Sequence, residues 1–216
     1  VAECINEMLN SCKIPVTAKT RTGYDEVENF EYLNSFIKKI SNAGCKTIIL
    51  HARKAILKGL TPKENLKIPK LNYPLVYEIK NSNNDLEIII NGGITNSDEI
   101  KNHLKNCDGV MIGRAIYQNP YFLADIEDKI FKNKNIPSRS EVAEKLVEYV
   151  KEEVKQGTRV NQIMRHTVGL YHGQNGANKW KRFLSDNMMA RDSDFQKVNH
   201  IMKIAQNNEK ANQTAS

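Results

Sequence analysis

Four short clusters within the first 115 residues carry side chains and backbone suited to holding an anion. Lys19-Thr20-Arg21, His51-Ala52-Arg53-Lys54, Asn91-Gly92-Gly93-Ile94 and Gly113-Arg114-Ala115 each follow directly on an apolar run. The two glycine clusters meet the needs of a phosphate. Without Cβ atoms their backbone N–H groups can approach the oxygens, and a helix after each presents its positive end. The two cationic clusters place polar side chains at i and i+2, which leave an extended strand on the same side. Taken singly, every cluster has an ordinary explanation. Lys19 reads as a solvated lysine, His51 as a core histidine with a satisfied partner, and Asn91-Gly92 as a hairpin turn. Gly113-Arg114 alone says almost nothing. Recurrence at four successive strand ends favours the functional reading, because α/β enzymes keep their chemistry there.

The elements that must position these clusters are legible from periodicity. Continuous apolar runs over residues 14–18, 46–50, 86–90 and 108–112 predict strands buried on both faces, alternating with helices in a βα pattern that implies a parallel sheet. Phe30, Leu33, Phe36, Ile37 and Ile40 fall at helical spacing. Asn96 with Glu99 and Ser138 with Glu141 have capping-box spacing. A helix is expected around residues 121–131. After a Lys/Asn-rich loop the rest reads as helix, with stripes of Val142, Leu146, Tyr149 and Val150, then Ile163, Val168, Leu170 and Tyr171, then Phe183, Leu184 and Met188. Trp180 is expected in the core.

Four βα units are half of a closed barrel, which takes eight and about 250 residues. The alternatives are a small doubly wound domain, or the second half of a (β/α)8 barrel with two open sheet edges. In barrels phosphate sits at the loops after the final two strands, which would make the glycine clusters the ends of strands seven and eight. Lys19 and His51 would then face the mouth, where cationic donors stabilise negative charge on the pyrimidine edge of a reduced flavin.

Composition narrows the partners. A net charge of +7 and a pI near 9.1 lean weakly toward a polyanion. No apolar run approaches the roughly 20 residues that span a bilayer, and the acidic start Val1-Ala2-Glu3-Cys4-Ile5-Asn6-Glu7 is unlike a signal peptide. No membrane partner is expected. Cys4, Cys12, Cys45 and Cys107 are far apart and form no CxxC pair, so they read as reduced structural thiols in the cytoplasm or an organelle matrix, with no metal site.

Five ordered stretches resemble the tRNA-dihydrouridine synthases: Val16-Thr17-Ala18-Lys19-Thr20-Arg21, His51-Ala52-Arg53-Lys54-Ala55, Leu57-Lys58-Gly59-Leu60-Thr61-Pro62-Lys63-Glu64-Asn65, Ile90-Asn91-Gly92-Gly93-Ile94 and Asp108-Gly109-Val110-Met111-Ile112-Gly113-Arg114. The third stretch and Tyr117-Gln118-Asn119-Pro120 look like the A-type subfamily, which acts on uridines 20 and 20a of the D-loop. The resemblance implies an FMN enzyme, reduced by NADPH, that reduces the C5=C6 bond of uridine, with a cysteine protonating C5 as general acid. It further implies that Lys19 and His51 contact the isoalloxazine, while Asn91, Gly92, Gly93, Gly113 and Arg114 hold the ribityl phosphate.

The family's Asn-x-Gly-Cys-Pro motif, which carries that cysteine, is absent here, and none of the four cysteines stands in its place. The expectation is therefore a chain that begins after the fourth barrel strand, with its proton donor upstream of Val1 and no activity by itself. Met164-Arg165-His166 and the run from Gly176 to Phe183 resemble the family's RNA-binding helices. The expected tRNA contacts are Arg53, Lys63, Arg165, Lys181 and Arg182, through phosphate. Leu66 and Asn178 stand where the subfamily usually has basic residues. The expected division is a half-barrel over residues 1–135, a helical tRNA-binding domain over 136–206 and a polar tail over 207–216. The complete protein is expected to be monomeric. A non-catalytic tRNA-binding remnant, and more distantly a phosphate-binding barrel enzyme of another class, are the competing readings.

Overall fold

The computed structural model describes residues 1–188, with side chains to Asp186; the expected tail over 207–216 and the end of the expected helical domain lie outside the described residues. The chain divides into two units, Val1–Gly113 and Arg114 onward. In the first unit α1 (Ala2–Ser11) leads into β1 (Ala18–Arg21), α2 (Phe30–Asn42), β2 (Thr47–His51), α3 (Tyr73–Ser82), β3 (Glu87–Asn91), α4 (Ser97–His103) and β4 (Gly109–Met111). The four strands are parallel and lie in the order β1-β2-β3-β4. The order never reverses, so this sheet has no switch point of the kind that doubly wound sheets use to bind ligands.

Burial alternates along β3, whereas β2 is buried on both faces from Ile48 to His51. Ile48 and Leu50 of β2 and Ile88 and Ile90 of β3 have no exposure. Leu33, Ile37 and Ile40 of α2, spaced i, i+4, i+7, and Leu75, Val76 and Ile79 of α3 are likewise buried. α2 packs on α3, and α3 on β3. The opposite face carries Lys19, Arg21, Ile49, His51, Ile89, Asn91, Gly109 and Met111, as the register dictates. It is less covered: Lys19 is exposed and Arg21, Ile89 and Asn91 are half-buried.

Strand one differs from its expected place. Ile14 is 69% exposed and Pro15 has no N–H to donate, so pairing starts at Ala18 opposite Ile48 and takes in Lys19 and Arg21. The cationic cluster is part of the strand rather than its exit. At the far end of the sheet, the Lys80 ammonium meets the Asp108 carboxylate at 2.8 Å and donates to the Leu86 carbonyl at 2.8 Å, while Asp108 accepts from the Ile88 N–H at 2.8 Å. Burial alone would raise the Asp108 carboxyl, but Lys80 and the Ile88 N–H hold it below its usual value.

The second unit contains α5 (Arg114–Gln118), α6 (Phe122–Lys129), α7 (Arg139–Lys155), α8 (Val160–Met164) and α9 (Ala177–Met188). Its core gathers Ala143, Val147, Val150, Val160, Met164, Leu170, Tyr171, Trp180, Phe183 and Leu184. Trp180 is fully buried, its indole N–H donates to the Thr167 carbonyl at 3.0 Å, and Tyr171 meets it edge-on at 5.2 Å. Ser138 and Glu141 form the expected capping box. The α7 stripe is Ala143, Val147 and Val150, and Tyr149, expected inside, is 53% exposed because it falls off that i, i+4, i+7 line.

The boundary after Gly113 lies earlier than the expected one after residue 135. The reason is local. The Tyr121 hydroxyl donates to the Pro137 carbonyl at 2.8 Å, Arg139 stacks over the Tyr121 ring at 3.9 Å and donates to the Leu170 carbonyl, and a Cβ on Gly169 would lie 2.1 Å from the Gln118 carbonyl oxygen. These contacts bind α5 and α6 to the helices that follow. Among the described residues no helix is long and apolar enough to cross a membrane, and no group of three or more His, Cys, Asp or Glu could hold a metal ion.

Candidate functional site

The open sheet face ends in a row of polar side chains. Arg21, His51, Asn91 and Met111 are in register across the four strands, with Lys19, Ile49, Ile89 and Gly109 one layer below. Lys19 and His51 therefore share a face but occupy different layers. Asn91 is locked in place, because its side-chain amide donates to the Met111 carbonyl at 2.7 Å and its own carbonyl accepts from the Ala52 N–H at 2.9 Å. His51 is 7% exposed.

Gly92 and Gly93 follow Asn91 with φ of 122° and 73°, a region that side chains rarely enter. Space forbids a side chain as well. A Cβ on Gly92 would lie 2.8 Å from His51 Cδ2, and one on Gly93 would lie 2.6 Å from Leu71 Cδ1 and 2.9 Å from the Tyr73 hydroxyl. The next helix is α4, which has seven residues and starts at Ser97; Asn96 takes its Asp98 and Glu99 N–H groups at 3.1 and 2.9 Å. Glu99 reaches back to the Thr95 N–H at 2.7 Å, one residue before the expected box partner Asn96. The N–H groups of Gly92 and Gly93 donate to no acceptor among the described residues. An anion placed at this strand end would meet glycine backbone rather than a helix dipole. Gly113 closes the first unit, exposed and with nothing within 4 Å of a Cβ placed on it. Arg114 is the first residue of the second unit.

The loop from Ala52 to Asn72 is built around two arginines. Arg21 donates to the Lys54 carbonyl at 2.9 Å and the Asn65 carbonyl at 3.1 Å. Asn65 in turn pairs reciprocally with Ile56, accepting from its N–H and donating to its carbonyl at 2.7 Å each. Arg53 donates to the Lys67 carbonyl at 3.1 Å and to the Pro69 carbonyl. Burial, then the neighbouring Arg53 charge, holds the Arg21 guanidinium below its usual pKa. Neither arginine meets a carboxylate in any ion pair among the described residues. The result is an electropositive loop base beside an open cleft of about 490 Å³ lined by Arg21, Ala55, Leu57, Leu60, Pro62 and Asn65. Asn65→Ala is expected to cost about 1–2 kcal/mol of local stability. Trypsin should then cut at Lys58 or Lys63 sooner than in the wild-type chain; an unchanged cleavage rate would show that Asn65 does not hold the loop.

Lys63 is exposed beside the short 3-10 turn Glu64–Leu66. In the second unit Arg165, Lys181 and Arg182 are exposed. Arg165 Nε lies 3.0 Å from His166 Nε2, and His166 Nδ1 lies 3.1 Å from the Tyr117 hydroxyl. α9 turns Trp180, Phe183 and Leu184 inward and Lys181 and Arg182 outward, with Arg182 3.5 Å from Asp186. Of the expected cofactor residues, Lys19, His51 and Asn91 lie on the sheet, Gly92, Gly93 and Gly113 follow its strands in the first unit and Arg114 opens the second, while the expected RNA contacts divide between the units.

Arg21, Asn65 and Tyr73 were not among the expected site residues. Arg21 had a signal, since it stands two residues after Lys19 and shares its face. Asn65 and Tyr73 had none, because their partners are remote in sequence. All four cysteines are free and none lies on the open face. Cys45 and Cys107 are buried six residues before His51 and Gly113, which is roughly 20 Å along a strand, at the opposite end of the sheet. Burial, with Asp108 adding to it, pushes the Cys107 thiol up to about 11.

Comparison with known proteins agrees with the sequence motifs. The family model described as Dihydrouridine synthase (Dus) matches residues 1–209. The chain is 45% identical over 190 residues to the tRNA-dihydrouridine(20/20a) synthase of Synechocystis sp., covering 88% of this chain and 57% of that protein. It is 46% identical over 188 residues to the same-named protein of Shewanella oneidensis, covering 87% and 56%, and 42% identical over 206 residues to that of Escherichia coli K12, covering 94% and 60%. The chain therefore spans a little over half the length of these curated relatives.

Proposed function

The chain belongs to the dihydrouridine synthase family, and from that premise we propose that it is the phosphate-gripping and RNA-binding portion of an FMN-dependent tRNA-dihydrouridine synthase that uses NADPH and acts on uridines 20 and 20a. The observation that carries this reading is the strand-end row. His51 and Asn91 end adjacent strands on one sheet face with Lys19 one layer below, and the two glycines after Asn91 have backbone N–H groups without acceptors among the described residues. The four strands are read as strands five to eight of a (β/α)8 barrel, an assignment supported by their sequential parallel order.

The residues present fit FMN. The Gly92 and Gly93 N–H groups, which meet no acceptor among the described residues, are donors that phosphate oxygens could reach on backbone free of side chains. Gly92, Gly93 and Gly113 would hold the phosphate, Asn91 would fix the loop, and His51 and Lys19 would face the ring system. When bound, FMN supplies the hydride for reduction of the uracil C5=C6 bond. Lys19 places a cation where negative charge develops, and the electropositive base formed by Arg21 and Arg53 favours a polyanionic substrate nearby. Proton delivery falls to a cysteine in the part of the relatives' length that this chain does not cover, because none of its own cysteines reaches the open face. Arg53, Lys63, Arg165, Lys181 and Arg182 supply phosphate contacts, which set affinity and register.

The test is the full-length protein. It should purify yellow, release FMN on denaturation and convert uridine to dihydrouridine in unmodified tRNA when NADPH is added. Lys19→Ala should lower that rate by about a hundredfold. A colourless but folded protein that still binds tRNA would replace this reading with that of a non-catalytic RNA-binding module. Unchanged turnover in Lys19→Ala would remove Lys19 from the site.

A further inference from the structure

We propose that Tyr73 is a positioning residue for the phosphate grip: its hydroxyl orients the Gly92–Gly93 peptide so that the Gly93 N–H faces the ligand. The proposal rests on the reading above that this loop takes the phosphate of FMN. Tyr73 opens α3, and its hydroxyl donates to the Gly92 carbonyl at 2.8 Å. There are no cis peptide bonds among the described residues, and in a trans peptide the C=O and the following N–H point in opposite directions. Tying the Gly92 carbonyl to Tyr73 on the half-buried side therefore turns the Gly93 N–H to the other side. Gly93 is exposed, and its N–H meets no acceptor among the described residues.

Two glycines in succession make this anchor necessary. Both have positive φ, and a glycine peptide has unusual freedom to rotate about its flanking bonds. A grip on phosphate depends on donors held in place before the ligand arrives. Tyr73 is itself braced. Its ring meets His103 edge-on at 4.5 Å between centroids, and His103 Nδ1 lies 2.8 Å from the Tyr77 hydroxyl, so two α3 tyrosines clamp a buried α4 histidine behind the loop. Burial first, and then the nearby Glu99 charge, raises the Tyr73 phenol, which keeps it protonated and able to donate. The Tyr73 oxygen also stands 2.9 Å from where a Gly93 Cβ would be, so the anchor and the absence of a side chain at Gly93 go together.

The discriminating experiment compares FMN with riboflavin, which lacks only the phosphate, on the full-length protein by quenching of flavin fluorescence. Tyr73→Phe keeps the ring against His103 and removes only the donor. It should weaken FMN by about tenfold, as expected for one lost orienting hydrogen bond, and leave riboflavin within about twofold. In the wild-type protein the Gly93 amide resonance should move on adding FMN and stay still on adding riboflavin, a measurement that depends on no variant. Equal loss of both flavins in Tyr73→Phe would mean a general packing role and overturn the proposal, as would unchanged FMN affinity or a Gly93 amide indifferent to FMN. If the wild-type protein binds neither flavin, the reading of the site fails and the proposal with it; if it binds FMN and Tyr73→Phe does not discriminate, the proposal alone fails.

Discussion

Replacing Trp180 by alanine is expected to unfold the helical unit at far lower urea than the wild-type chain, with a loss of about 3–5 kcal/mol. The side chain is fully buried among Met164, Leu170, Tyr171 and Leu184, so truncation leaves a large apolar void. It also removes the indole N–H bond to the Thr167 carbonyl, which keeps its other bond, from the Leu170 N–H. Against a total domain stability of about 5–15 kcal/mol, that loss takes a large share of what holds the unit together. Trp180 is the chain's single tryptophan, so in the wild-type protein its emission reports this unit alone. Circular dichroism must follow the variant. Trp180→Phe should cost less, since most of the volume stays while the hydrogen bond goes. A midpoint for Trp180→Ala within about 0.5 kcal/mol of wild type would show that Trp180 does not organise the unit.

The second large effect is expected at Gly92. Alanine there must adopt a φ of 122°, which costs about 1–3 kcal/mol before any contact is counted. Its methyl would also fall 2.8 Å from His51 Cδ2 and 3.0 Å from Leu71 Cδ2. Either His51 or the loop must shift, and both belong to the proposed flavin site. A fall in melting temperature and a loss of more than about tenfold in FMN affinity are expected together, measured by thermal denaturation and flavin quenching. Gly113→Ala provides the stability control. Its backbone needs no positive φ and its Cβ would meet nothing within 4 Å, so the melting curve should barely change. A Gly92→Ala protein that melts and binds FMN as the wild type does would remove the loop geometry as the reason for glycine at this position.

Much of this was readable from local pattern, and the parts that were not share a cause. The apolar runs marked the second, third and fourth strands, and period-two alternation placed Lys19 and Arg21 on one side of β1. The Ser138 and Glu141 spacing predicted a capping box that forms as expected, because every partner in it lies within one helical turn. By contrast, strand one was expected to start at residue 14 and Tyr149 to lie inside. Neither holds, because pairing register and the choice of buried face depend on neighbours that local pattern does not name.

The sequence by itself determined the alternation of strand and helix, the glycines that must follow Asn91 and the cations at the strand ends, all of which depend on residues a few positions apart. Only the tertiary structure decided what those groups do to one another. Arg21 reaches the Lys54 and Asn65 carbonyls 33 and 44 positions away, and Tyr73 reaches Gly92 across 19. Such contacts form only after the parallel sheet has brought distant strand ends side by side, and a hydrogen bond between backbone carbonyl and side chain leaves no pattern in the order of residues. The division after Gly113 has the same origin, since it is set by Tyr121, Arg139 and Gly169 packing within the helical unit rather than by the Lys/Asn-rich loop that marked a boundary in the sequence.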